Sequence, residues 1–115
     1  MIVRHATFDG VQRVRFEGGD SLDSTCAAMV RRQCAEVVRE DLDVVVDLAN
    51  IQFVDSAGLG VLIGLFKIAH RGGHRLLLVG VRKAVLQVME VIRLDEIFQF
   101  AGTFGEAVER LREVG

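Results

Sequence analysis

Six consecutive residues, Asp55-Ser56-Ala57-Gly58-Leu59-Gly60, carry the clearest potential for chemistry in this 115-residue chain. A serine hydroxyl beside a carboxylate, followed closely by two glycines, sits where an apolar run ends and a helical pattern begins. The position reads as a helix N-cap, with Ser56 as the capping residue. Unpaired backbone N–H groups and the positive end of the helix dipole then lie beside its hydroxyl. An anion is well accommodated there. Glycine within a helix costs ~1 kcal/mol relative to alanine, so Gly58 and Gly60 in one turn need a reason. Their missing side chains supply one, because another protein's surface can approach the backbone closely.

Other chemistries fit the sequence poorly. A serine hydrolase of the α/β class places its nucleophile in G-x-S-x-G, and Val54 stands where the first glycine belongs. A triad also needs a histidine, and the chain has His5, His70 and His74. His70 falls at the far end of the helix that Ser56 opens, ~20 Å away at helical rise. His70 and His74 are four residues apart, but Gly72-Gly73 breaks the helix that would align them on a metal. Cys26 and Cys34 fall on one predicted helix, ~12 Å apart, too far for a disulfide within it. They read as core thiols. No G-x-x-x-x-G-K-[ST] phosphate loop occurs. The expectation is a binding module, not an enzyme, with no metal and no cofactor.

The elements that position Ser56 follow from periodicity. Ile2 to Phe8 and Val11 to Phe16 read as strands around Asp9-Gly10, a favoured hairpin turn. Glu17 to Ser21 is loop by composition. A helix is expected from Asp23 or Ser24, with Cys26, Val30, Cys34, Val37 and Val38 on its apolar stripe. Val44-Val45-Val46-Asp47-Leu48 is a strand apolar on both faces, and Ala49 to Val54 a loop. The helix opening at Asp55-Ser56 runs to about His70, apolar nearly all round, and ends at Gly72-Gly73. Leu76 to Val79 is a further buried strand, Arg82 to Ile92 a helix, and Ile97 to Phe100 a short strand. Thr103 and Glu106 have capping-box spacing before a last helix. The expected order is β-β-α-β-α-β-α-β-α. It implies a mixed, mostly parallel sheet of four to five strands with about four helices.

Composition narrows the class. Fourteen basic residues against sixteen acidic give a net charge of −2, and there is no Tyr or Trp. With no basic run and nothing to stack on bases, nucleic acid is not an expected partner. No apolar run reaches the ~18–20 residues of a membrane span, and Met1 to His5 lacks a signal-peptide pattern. A cytoplasmic location is expected. With no proline, repeat or linker-like stretch, residues 1–115 read as one domain.

Residues Val44 through Leu62 closely resemble the core signature of STAS domains. More narrowly, they are similar to the bacterial anti-sigma factor antagonists. The likeness continues through Gly72-Gly73, Leu76–Val79, Met89-Glu90-Val91-Ile92 and Ile97-Phe98, and covers roughly Val11 to Leu111. The resemblance implies that Ser56 is phosphorylated by a partner that is both anti-sigma factor and serine kinase, and that a PP2C-type phosphatase resets it. It implies that Asp55, Ser56, Ala57, Gly58, Leu59 and Gly60 meet that partner. It also gives Asp23 a contact role, through a G-x-L-D element matched here by Ser21-Leu22-Asp23. Gly19-Asp20 stands as an extra pair between Gly18 and Ser21. The protein is expected to be a monomer or weak dimer. An alternative within the same superfamily is an accessory subunit of a bacterial lipid- or anion-transport complex.

Overall fold

The hairpin forms where Asp9-Gly10 directs it. Both residues have positive φ, 53° and 75°, the combination that a two-residue hairpin turn of matching twist needs. It joins β1 (Ile2–Phe8) to β2 (Val11–Glu17), antiparallel, with Phe8 opposite Val11. The computed structural model describes residues 1–113; Val114 and Gly115, at the end of the expected domain, lie outside the described residues.

From β2 onward the sheet is parallel, with β4 (Asp43–Asp47), β6 (Leu76–Val79) and β7 (Gln99–Ala101) added in turn. The five strands stand in the order β1-β2-β4-β6-β7. Successive side chains of a strand point to opposite faces, and β4 shows the outcome. Val44 and Val46 join the main core, while Val45 joins a smaller one with Val11, Leu77, Val79 and Ala107. The main core is closed by α1 (Ala27–Val37), α2 (Ser56–Arg71) and α3 (Lys83–Val91); α4 (Phe104–Arg112) covers the other face. This is the expected mixed, mostly parallel α/β architecture. Among the described residues, no helix is long and apolar enough to cross a membrane.

Three local expectations change. The loop from Ala49 to Val54 contains a two-residue strand, β5 (Phe53–Val54), paired in parallel with β3 (Ser21–Leu22) in a separate small sheet. Helix α1 starts at Ala27 rather than at Asp23 or Ser24. Asp23 turns the chain first: its carboxylate accepts from the Thr25 N–H at 3.0 Å, and its carbonyl accepts from the Ala27 N–H at 2.9 Å. Such an Asx turn is a local alternative to the first helical turn. The last strand begins at Gln99 instead of Ile97, because a 3-10 turn at Leu94–Glu96 takes up the chain and Phe98 is buried in the main core.

One buried polar side chain locks α1 to the sheet. Gln12 on β2 is 1% exposed. Its amide donates to the Val37 carbonyl at 2.7 Å and accepts from the Arg39 N–H at 2.9 Å. Both ends of the amide are thereby satisfied, as burial demands.

Candidate functional site

The small β3–β5 sheet brings two distant loops together. Its register, Ser21 opposite Phe53 and Leu22 opposite Val54, delivers the next residues, Asp23 and Asp55, to the same edge. Ser56 follows as the first residue of α2. The Gly19-Asp20 pair feeds this arrangement, since the Asp20 carbonyl accepts from the Gln52 N–H at 2.7 Å.

The helix cap is Asp55, not Ser56 as expected from sequence. The reason is that the Asp55 carboxylate has two oxygens and two donors to meet. Oδ1 accepts from the Gly58 N–H at 2.9 Å, and Oδ2 accepts from the Ser24 N–H at 3.0 Å. One side chain thus closes the first turn of α2 and ties it to the loop before α1. Those two N–H donors, Gly58 first, hold the Asp55 carboxyl below the usual carboxylate range. A carboxylate so committed is a poor proton acceptor. Ser56 is exposed beside it, and its hydroxyl is not the group that closes the helix.

The glycines also play a different part from the one read in the sequence. A Cβ on Gly58 would lie 1.8 Å from the Leu22 carbonyl oxygen. Gly58 therefore permits close approach of β3 within this chain, and does not open a way for a partner. Gly58 and Leu59 are both buried and support the site from beneath. Asp23, Asp55, Ala57 and Gly60 are half-buried around the exposed Ser56. A Cβ on Gly60 would lie 2.6 Å from a terminal nitrogen of Arg31 on α1.

One feature of this face was missed. Phe53 on β5, two residues before Asp55, is 52% exposed. Its only signal in the sequence is an aromatic side chain within a loop-like stretch, and that pattern does not set its direction. The histidines are engaged elsewhere. His74 Nδ1 lies 3.2 Å from an Asp43 oxygen, His5 lies 3.4 Å from the Gln12 amide, and His70 stacks on Phe66 in the last turns of α2. Cys34 is buried, and burial pushes its thiol up to about 12; Cys26 is half-buried at the start of α1. Both are free thiols.

Comparison with known proteins agrees with this geometry. The model of the STAS domain matches residues 6–107. The anti-sigma F factor antagonist of Paenibacillus polymyxa is 31% identical over 107 residues, covering 91% of this chain and 87% of that protein. The crystal structure of an anti-sigma factor antagonist from Mycobacterium paratuberculosis superposes with a TM-score of 0.82 at 22% identity, covering 97% of this chain and 94% of that one. The Bacillus cell fate determinant SpoIIAA in its phosphorylated form superposes with a TM-score of 0.68 at 18% identity, covering 96% of this chain and 100% of that one. At such identities the two structures speak for the fold. The matched sequence, the five-stranded mixed sheet and the serine at the start of α2 together lead to one conclusion: the chain belongs to the STAS domain family.

Proposed function

We propose that this protein is an anti-sigma factor antagonist switched by phosphorylation of Ser56. The observation that carries the reading is an exposed serine at the first position of α2, next to a carboxylate committed to backbone donors. The name of the Paenibacillus polymyxa relative supports the antagonist part of that reading. The partner is an anti-sigma factor with serine kinase activity. It transfers the γ-phosphoryl group of ATP to the Ser56 oxygen, releasing ADP and the hydroxyl proton. Because the Asp55 carboxylate is held by two N–H groups, the base for that step belongs to the kinase.

The partner surface centres on Ser56, with Asp23, Asp55, Ala57 and Gly60 around it, Gly58 and Leu59 beneath it, and Phe53 as an apolar anchor at its edge. Aromatic side chains that become fully covered at interfaces carry a large share of binding energy. Phosphorylation adds about −1.5 to −2 charges at neutral pH. Burying that charge against an unmatched partner surface costs ~2–5 kcal/mol, which weakens binding ~30- to several-thousand-fold. A PP2C-type phosphatase restores the binding form.

The test is intact mass after incubation with the kinase-type anti-sigma factor of the same genome and Mg-ATP, beside Ser56→Ala. One added phosphate in the wild type and none in the variant is the expected result. A phosphate retained in Ser56→Ala, or none in either protein, would sink the reading.

A further inference from the structure

Arg31 lies across α2 one turn below Ser56. A Cβ on Gly60 would come within 2.6 Å of its terminal guanidinium nitrogen, so the guanidinium occupies the space that a side chain at position 60 would fill. Residues four apart on a helix lie one above the other on the same face, ~6 Å between Cβ positions. Ser56 and Gly60 are such a pair, and both belong to α2. The guanidinium is therefore parked within about one helical turn of the Ser56 side chain, on the same face.

Two further observations free it to move. Arg31 has no ion pair among the described residues, as is also true of Arg32, Arg75, Arg82, Arg93 and Arg110, and of these it is Arg31 whose guanidinium lies against Gly60. Arg31 is exposed and borders an open groove of about 280 Å³ between α1 and α2, together with Val61, Gly64 and Leu65.

We propose that Arg31 is the intramolecular receiver of the Ser56 phosphate, its guanidinium moving from the face of Gly60 to the phosphoryl oxygens. This rests on the reading of Ser56 as the modified residue. A guanidinium matches phosphate with two parallel N–H donors, and phosphate draws arginine strongly enough to reorder local side chains. The phosphorylated form then differs from the free form in two ways. It gains an anion at the partner surface, and it withdraws a cation from the α1–α2 groove.

The experiment places phosphoserine at position 56 during synthesis of the full chain, so its outcome does not depend on any kinase. The second ionisation of that phosphate is followed by phosphorus NMR in three backgrounds: wild type, Arg31→Gln and Gly60→Ala. The carboxylates flanking Ser56, Asp55 and Asp23, are the same in all three. His70 sits in the last turn of α2, at the opposite end of the helix from Ser56. The expected result is a second ionisation lower in wild type than in Arg31→Gln by about half a unit, the size of an exposed ion pair. The difference should shrink in 1 M salt. In Gly60→Ala a methyl group takes the guanidinium's resting place, which favours its position on the phosphate, and the ionisation is expected at or below the wild-type value. The Arg31 side-chain N–H resonance should also move on phosphorylation. Superimposable titrations for wild type and Arg31→Gln, with an unmoved Arg31 resonance, would overturn the proposal. They would leave the Ser56 switch itself to the mass measurement above.

Discussion

Three glycines lie along α2, and a methyl group at each would meet different surroundings. At Gly58 it would strike the Leu22 carbonyl at 1.8 Å, a backbone atom that cannot step aside without parting β3 from α2. Gly58→Ala should therefore lose about 1–3 kcal/mol or more, as overpacking does. At Gly64 nothing lies within 4 Å, so Gly64→Ala should gain up to ~1 kcal/mol from helix propensity. Urea unfolding of the two variants, read as opposite shifts of the midpoint, checks both expectations. Asp55 adds a pH signature. Its carboxyl is held below the ordinary range by the Gly58 and Ser24 N–H groups. The unfolded chain therefore takes up that proton at a higher pH than the folded one. The contribution is complete above the unfolded value of ~3.9 and is lost as pH falls through the lower folded value. The midpoint difference between wild type and Asp55→Asn should be flat from pH 7 to 5 and shrink below about pH 4. The sequence showed this residue as chemically important but gave Ser56 the cap. Adjacent Asp and Ser are both good caps, and only the position of Ser24, thirty-one residues earlier, makes two oxygens better than one.

Elements with strong periodicity were legible, and those held together by distant contacts were not. The valines of β4 and the leucines of β6 announced central strands because both faces of the sheet are covered, by α1–α3 on one side and α4 on the other. The start of α4 was equally plain: Thr103 accepts from the Glu106 N–H at 3.2 Å, the capping spacing read in the sequence. Strands β3 and β5 gave no signal, since two residues cannot show alternation and each exists only through the other. The start of α1 was misplaced for a related reason, because the Asp23 carboxylate serves a turn as readily as a helix. Gln12 falls in the same class. A glutamine in a strand gives no sign that Val37 and Arg39 wait for both ends of its amide. Gln12→Leu would strand a buried carbonyl and N–H, costing about 1–3 kcal/mol. The loss should appear in urea unfolding as a shifted midpoint with an unchanged slope.

At the scale of the whole molecule, the thiols report how intact the core remains. Burial raises Cys34 to about 12, so it stays protonated in the folded protein while the unfolded chain ionises near 8.5–9. Its contribution is unaffected below that range and falls as pH rises through it, because only the unfolded state then gives up the proton. Iodoacetamide at pH 8 should label Cys26 first and reach Cys34 on the timescale of unfolding. The small sheet has a further consequence, in time instead of space. Two register pairs join β3 to β5, against seven between β1 and β2. Regions held by few contacts open at lower free energy than the body of a protein. Amide hydrogens of Phe53 and Asp55 should exchange with deuterium well before those of Val45 or Leu77. The segment leading into Ser56 should then open while the five-stranded sheet stays shut.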